Sequence, residues 1–215
     1  LSTSLNLGGA EMQVCLLAET LARRGWQVAV VSMVKPLHFV ERLRRAGVAV
    51  HSLDMHPGRP SLRAILRLAR IYRRFQPDVV HSHMFHANLL GRALKPLFPR
   101  IPLVSTAHDH DETCGRRSRY LPYRLTRAAS DFMTNVSSAS FAHYVERGLI
   151  HRDRGAAVVN GLDLSRFDPA RSDRQAARRA LGLTADTFCW CAIGRLVPKK
   201  DYPTLIRAVQ WLATQ

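Results

Sequence analysis

Short apolar runs alternate with longer amphipathic segments along most of the chain. Residues 28–34, for example, are almost continuously apolar and β-branched, which is typical of a strand covered on both faces. The segments between such runs place apolar residues at helical spacing. This alternation predicts a doubly wound parallel α/β sheet, the Rossmann-like fold class. The predicted strands are residues 28–34, 48–53, 79–81, 103–106, 132–136, 156–159 and 188–193.

The predicted helices end or begin at residues that favour helix caps. Gly25 follows the first helix and suits a left-handed cap, and the serine run that starts at Ser137 suits an N-terminal cap. The helices are predicted at residues 10–24, 37–46, 61–75, 88–97, 121–129, 137–147, 174–181 and 202–212.

A glycine pair, Gly8-Gly9, opens the first predicted helix. In a doubly wound sheet the first such turn follows the central strand, and residues 1–7 suffice only for the end of one. The last strand–loop–helix unit is likewise predicted to be the first unit of a second domain. We therefore expect the chain to be a fragment at both termini. Residues 1–168 are predicted to form one Rossmann-like domain. Residues 169–215 are predicted to hold a linker and the first unit of a second such domain.

Composition supports a folded chain. Of the 215 residues 47% are hydrophobic, which is ample for a core, and no apolar run approaches the ~18 residues that cross a bilayer. Residues 1–11 have no signal-peptide pattern. Cys189 and Cys191 alternate along a predicted strand, so we expect buried thiols in a reducing cytoplasm.

Positive charge is the outlier of the composition, with 32 Lys+Arg against 16 Asp+Glu and a formal net charge of +16. Such a field attracts polyanions: nucleic acid, anionic lipid or phosphorylated substrates. Two interpretations of the helix at 61–75 stay open, a solvated face and a surface that adheres to anionic membranes. Its basic face consists of Arg63, Arg67, Arg70 and Arg74. Its apolar side is predicted to consist of Leu62, Ile65, Leu66, Ala69 and Tyr72.

Three polar groups follow predicted strands or turns in the first domain. Gly8-Gly9 with Glu11 is either an anion-binding helix start or merely a turn. His81-Ser82-His83 and the run that starts at His108 could hold zinc or manganese. Consecutive loop residues seldom converge on one ion, however, so these side chains are better interpreted as lining the crevice at the sheet's carboxyl edge.

A basic pair follows the last predicted strand. Gly194 would end that strand, which places Arg195 and Lys200 where a diphosphate could be bound. The alternative is two solvated cations in a basic protein. Asn160-Gly161, by contrast, is explained by its residue types as a turn.

These segments together resemble the retaining glycosyltransferases of the GT-B fold, in the group that includes family 4 and many bacterial cell-envelope sugar transferases. The likeness covers nearly the whole chain. The matching stretches are Gly8-Gly9-Ala10-Glu11, Pro77-Asp78-Val79-Val80-His81-Ser82-His83, Ser105-Thr106-Ala107-His108, Val159-Asn160-Gly161-Leu162-Asp163 with Phe167 and Pro169, and Gly194-Arg195-Leu196-Val197-Pro198-Lys199-Lys200-Asp201.

The resemblance implies a UDP- or GDP-sugar donor and a glycan or lipid-linked acceptor, with no metal or other cofactor. It places Gly8 and Gly9 against the donor's phosphate and sugar, and His108 as the catalytic residue beside the transferred sugar. Arg195 and Lys200 would neutralise the leaving diphosphate. Glu11, His83 and Asn160 would line the cleft.

Two departures from the family pattern stand out. Val159 replaces the proline that commonly precedes Asn-Gly, and the second domain's glutamate pair would lie beyond Gln215. We therefore expect the fragment to be inactive alone. The full enzyme would be cytoplasmic, held at the inner face of the plasma membrane. Two alternatives stay open: a basic nucleic-acid-binding module, disfavoured because no recognised nucleic-acid motif is present, and a non-catalytic protein that binds sugar nucleotides.

Overall fold

A computed structural model of the chain describes residues 1–58, 61–168, 170 and 173–214, apart from the side chains of Arg166 and Lys199. Pro169, one of the motif residues, lies outside the described residues. The chain divides into two compact units, Leu1–Leu162 and Asp163–Gln215. The predicted domain boundary after residue 168 stays a prediction.

Among its described residues, the first unit contains six strands and six α-helices. The strands are β1 (Ala29–Ser32), β2 (Ala49–Ser52), β3 (Val80–His83), β4 (Leu103–Ala107), β5 (Phe132–Asn135) and β6 (Gly155–Ala157). The helices are α1 (Gly9–Arg23), α2 (Val40–Arg45), α3 (Leu62–Phe75), α4 (Phe85–Leu94), α5 (Arg117–Leu125) and α6 (Ser138–Glu146). The predicted α/β alternation is therefore confirmed.

Every strand pair in the described part of the chain is parallel. β1 pairs with β2, and a second sheet has the order β3-β4-β5-β6. Ser2 joins the two sheets, because it bridges in parallel to both Ser32 and His83. The first residues thus occupy the central position, where the strand order reverses. In open α/β sheets, ligands bind outside the carboxyl ends of the strands at this switch point.

Helices cover both faces of the sheet. Neighbouring residues of β1 point to opposite sides, and accordingly Val30 packs in one core cluster and Val31 in another. The Val30 cluster includes residues of α1 together with Leu43 of α2, and the Val31 cluster includes residues of α3 and α4. The fold is therefore doubly wound, as the sequence predicts.

The predicted caps form. Gly25 has φ +85°, which is the left-handed conformation predicted after α1. The Ser137 side chain accepts a hydrogen bond from the backbone N–H of Ser140 at the start of α6. Ser61 caps α3 in the same way, through the N–H of Ala64. Each serine cap satisfies a donor that the first helical turn leaves unpaired.

Helix α3 exposes all four arginines of the predicted basic face, but its apolar side differs from the prediction. Ala64 and Leu68 are buried, whereas Leu62 and Leu66 are 71% and 50% exposed. The buried stripe is rotated because α3 packs on the sheet through Ala64, Leu68 and Tyr72. The two leucines therefore lie on the surface with the arginines. Among the described residues, no helix is long and apolar enough to cross a membrane.

The second unit contains helices α7 (Arg174–Ala180) and α8 (Tyr202–Ala213), with short 3-10 turns. The strand predicted at 188–193 is wrong: the described residues of this unit form no strand. Since a strand needs a neighbour for its backbone hydrogen bonds, this run stays open to solvent, with Ile193 94% exposed. Cys189 and Cys191 are consequently exposed, not buried as predicted.

Candidate functional site

Three polar groups of the first unit follow the carboxyl ends of adjacent chain segments at the switch point. The turn containing Gly8 follows the central segment, His83 ends β3, and His108 follows β4. Strand pairing sets their proximity, because His83 is in register with Thr106. They lie at the edge where the sequence predicts a crevice, and their role in lining it stays a prediction.

His83 and His108 form a direct hydrogen bond. Nδ1 of His83 lies 3.0 Å from Nε2 of His108. Burial lowers the pKa of His108 to about 4, although Glu11 acts in the opposite direction. Burial also lowers the pKa of His83 well below its usual range. Both rings are therefore neutral at pH 7, so one nitrogen donates and the other accepts.

His81 extends this arrangement along β3. Its ring lies over that of His83 with centroids 4.0 Å apart, and its Nε2 is 2.7 Å from Oγ1 of Thr106. Oγ1 of Thr106 is in turn 2.6 Å from Oγ1 of Thr134. The His81 and His83 rings are tilted by 32° to one another. Nδ1 of His108 is buried with no hydrogen-bond partner among the described residues.

The Glu11 carboxylate folds back over Gly8. The Ser4 hydroxyl donates to Oε1 of Glu11 at 2.6 Å, and a Cβ added at Gly8 would lie 2.3 Å from Oε2. A Cβ added at Gly9 would meet nothing within 4 Å. Gly8 is thus needed because any side chain there would collide with the Glu11 carboxylate. Its backbone angle does not require glycine, since its φ is −168°.

Asn160 lies next to a contact that returns to helix α1. The Gln13 side chain donates to the carbonyl of Gly161 at 2.7 Å and accepts from its N–H at 2.9 Å. This pair of hydrogen bonds fixes the turn beside the second turn of α1. Asn160 itself is exposed.

Arg195 and Lys200 belong to the second unit and are exposed. Lys200 ends the 3-10 turn Pro198–Lys200 that precedes α8. A Cβ added at Gly194 would lie 2.9 Å from the Tyr202 hydroxyl and 3.9 Å from Cδ of Lys200. The pair therefore lies around a close turn, and its role in binding phosphate stays a prediction.

The sequence also allows an interpretation in which the two histidine runs ligate a metal ion. Among the described residues, no three His, Cys, Asp or Glu side chains are grouped so that they could hold a metal ion. His83 and His108 instead hydrogen-bond to one another.

Two buried charged residues of the first unit are not predicted from the sequence. Arg92 of α4 is 2% exposed: its Nε donates to Ser130 and its Nη1 to the carbonyl of Tyr123, and its guanidinium lies 4.2 Å from that ring's centroid. Glu112 is 8% exposed and accepts from the backbone N–H of His108. The sequence offers only weak signals for them: Arg92 follows Asn88 by one helical turn, and Glu112 follows His108 by four residues.

A family model described as Glycosyltransferase Family 4 matches residues 7–166. A D-inositol 3-phosphate glycosyltransferase of Nocardia farcinica is 28% identical, over 94% of this chain and 49% of that protein. A UDP-Gal:alpha-D-GlcNAc-diphosphoundecaprenol alpha-1,3-galactosyltransferase of Escherichia coli is 25% identical, over 65% of this chain and 38% of that protein. The chain thus spans about half the length, or less, of these curated relatives.

Solved structures show the same fold. Anabaena Alr3699/HepE in complex with UDP superposes with a TM-score of 0.75 at 22% identity, over 97% of this chain and 56% of that one. Its complex with UDP-glucose gives a TM-score of 0.74 at 20% identity, over 95% of this chain and 54% of that one.

Proposed function

The chain belongs to glycosyltransferase family 4, and we propose that it forms the acceptor-binding part of a sugar transferase. The reaction would move a sugar, with retention, from a nucleotide diphosphate to a lipid-linked or cell-envelope acceptor. The observation that carries the proposal is the neutral His83–His108 pair at the switch point, beside the Gly8 turn of a chain that matches the family over residues 7–166.

The relatives support a nucleotide-sugar donor. The Escherichia coli protein is named for UDP-galactose and a diphosphoundecaprenol acceptor, and the Anabaena protein was solved with UDP and with UDP-glucose. These names favour a UDP-sugar over a GDP-sugar, and they are consistent with an acceptor on a lipid carrier.

We assign roles in the first unit from the chemistry of each group. Neutral His108 would hydrogen-bond a hydroxyl of the transferred sugar, with His83 fixing its tautomer. Gly9, which is open, would approach the donor's phosphate. Gly8 seats the Glu11 carboxylate, which accepts from hydroxyls and repels phosphate, so this side of the turn would face sugar rather than phosphate. Asn160 would line the same cleft.

Arg195 and Lys200 would neutralise the leaving diphosphate, which is the task that a metal ion performs in other transferases. No metal or further cofactor is then required. These two residues lie in the shorter second unit, and the chain spans about half the length of its curated relative. On this proposal the 215-residue chain alone would have negligible transferase activity.

The activity test uses this chain joined to the part of the Nocardia farcinica relative that lies outside the matched 49%, with the unjoined chain assayed in parallel. His108→Ala should lower kcat about 100-fold, as expected when a group that orients the substrate is lost, and His56→Ala, which removes an exposed histidine, should leave it unchanged. Sugar transfer by the unjoined chain would contradict the predicted inactivity. UDP-sugar binding without transfer by the joined protein would favour the non-catalytic alternative.

We also propose that the basic face of α3 binds an anionic membrane surface. Arg63, Arg70 and Arg74 are exposed, and Leu62 and Leu66 accompany them on the surface. Arg67, the fourth member of this face, forms an ion pair with Asp54. Basic residues with adjacent apolar side chains suit the interface of an anionic bilayer, where each cation contributes about 1 kcal/mol.

Sedimentation with phosphatidylglycerol vesicles tests this surface. The triple variant R63Q/R70Q/R74Q should bind far less than R152Q/R154Q/R174Q, which removes the same charge from exposed arginines elsewhere. Equal losses would indicate a general effect of net charge. Tighter binding to duplex DNA than to vesicles at the same ionic strength would favour the nucleic-acid alternative.

A further inference from the structure

The loop after β4 carries His108, and one of its own side chains, that of Glu112, hydrogen-bonds to the backbone at its start. Oε1 of Glu112 accepts the backbone N–H of His108 at 3.0 Å, so the carboxyl group returns to the start of its own loop four residues earlier. This N–H lies just beyond the strand, where the parallel ladder ends at the pairing of Ala107 with Asn135. The Glu112 side chain thus supplies the acceptor for the first backbone N–H beyond the strand.

Helix α6 anchors the same loop from outside. The Tyr144 hydroxyl accepts the backbone N–H of Glu112 at 3.1 Å, and Tyr144 is fully buried. Ser140 donates to the carbonyl of Asp109 at 3.1 Å, and Asn135 holds Ser140 through its side-chain amide. Three separate contacts therefore fix the loop around His108, and Glu112 takes part in two of them.

Glu112 makes no other side-chain hydrogen bond among the described residues. It is 8% exposed, and its Oε2 is buried without a hydrogen-bond partner in that part of the chain. A buried carboxyl group with an unused oxygen is costly to keep. The bond that offsets this cost is the one to the His108 N–H, so we look for the role of Glu112 there.

We propose that Glu112 is a positioning residue, which holds the His108 backbone so that the His108 ring meets Nδ1 of His83. It acts on the reaction only through His108, and this link rests on the function proposed above for that residue. The group that matters is the acceptor oxygen at the end of the side chain, not the charge of the carboxylate.

This distinction gives a set of matched variants. Glu112→Gln keeps an acceptor oxygen at the same reach and removes the ionisable group. Glu112→Asp keeps the carboxyl group but shortens the side chain by one methylene, so that it no longer reaches the N–H. Glu112→Ala removes both, and Glu146→Gln, at an exposed glutamate of α6, serves as the control.

The readout is the titration of His108 followed by NMR in the 215-residue chain, which requires no enzyme activity. In the wild type the pKa of His108 should be about 4, and E112Q and E146Q should preserve it. E112A and E112D should move it towards the ordinary value of about 6.5 as the loop opens to water. Unchanged titration in folded E112A or E112D, or an E112Q shift as large as that of E112A, would overturn the proposal.

A measurement on the wild type covers the case in which the shortened variants do not fold. The His108 amide should be protected from hydrogen exchange and should show a through-hydrogen-bond coupling to the Glu112 carboxyl carbon. An unprotected amide would refute the proposal. In the joined transferase, E112A should lower kcat while the KM for the donor stays constant, and E112Q should restore kcat. Failure of this last arm alone would count against the role of His108, not against the loop contact.

Discussion

Residues 103–106 and 188–193 are both runs for which the sequence predicts a strand, but only the first forms one. In β4, Leu103 is 3% exposed and the strand pairs with β3 on one side and β5 on the other. In the second run, Phe188 and Trp190 are 78% and 66% exposed. The run that forms no strand is the more apolar of the two, so hydrophobicity does not decide the outcome, and the difference lies in the neighbouring strands.

An apolar run therefore becomes a strand when adjacent strands accept its hydrogen bonds and helices cover its faces. The first unit supplies both, and it also buries polar groups that a surface would leave solvated. Arg92 and Glu112 are the extreme cases, and they show how completely the interior of this unit is closed. The second unit keeps its apolar side chains and its cysteines at the surface.

Arg92 provides the most severe test of the closed interior. Arg92→Leu should lower the free energy of unfolding of the first unit by about 5 kcal/mol, because Ser130 and the Tyr123 carbonyl lose a buried partner and the smaller side chain leaves space. Urea unfolding followed by tyrosine fluorescence measures this. Arg73→Leu, on the exposed side of α3, is the control, and equal effects of the two changes would contradict the buried network.

The pH dependence of folding stability tests whether Glu112 is buried. Burial raises the pKa of Glu112 from 4.5 to about 8, against the hydrogen bond from the His108 N–H; Asp109 acts in the same direction as burial, and Arg92 and Arg119 act against it. Below pH 4.5 both the folded and unfolded states are protonated. Between pH 4.5 and 8 only the unfolded state ionises, so stability falls as pH rises.

Glu112→Gln should therefore gain stability relative to the wild type across this window, reaching about 4 kcal/mol near pH 8 and remaining nearly constant above it. Unfolding curves for both proteins at about pH 4, 6 and 8 measure the difference. A difference that does not change with pH would show that Glu112 is not buried as a neutral acid.

Thiol labelling compares the accessibility of cysteines in the two units directly. The expected effect is smaller than the two changes in stability described above. Burial and the nearby Glu19 raise the pKa of Cys15 in α1 to about 11, and this thiol is fully buried. Cys189 and Cys191 are exposed. Iodoacetamide should modify Cys15 at least about 100-fold more slowly than the other two, because both its thiolate fraction and its access are lower. Similar rates, measured by mass spectrometry of peptides, would remove the contrast between the units.

The sequence predicts most of the first unit because each of its local patterns agrees with the fold: alternating apolar runs, glycine ends such as Gly25 and serine starts such as Ser137. It also predicts His83 and His108 as crevice residues, since both follow strands. Their hydrogen bond depends on the register of β3 against β4, which no local pattern contains.

Glu112 and Arg92 lie beyond prediction for a related reason. A charged residue is normally solvated, and whether it is buried depends on partners far along the chain. Ser130 lies 38 positions from Arg92, and Tyr144 lies 32 positions from Glu112. The strand predicted at 188–193 is wrong for a related reason. Its sequence pattern is that of a strand, but the described residues of its unit offer it no partner strand.

The Gln13 side chain has a mechanical consequence. Both the oxygen and the nitrogen of one amide are engaged with the backbone of Gly161, the next-to-last residue of the first unit. Turning the chain at its exit from this unit therefore disturbs two hydrogen bonds to a single side chain of α1. Gln13 therefore ties the exit of the first unit to the helix whose first residue is Gly9.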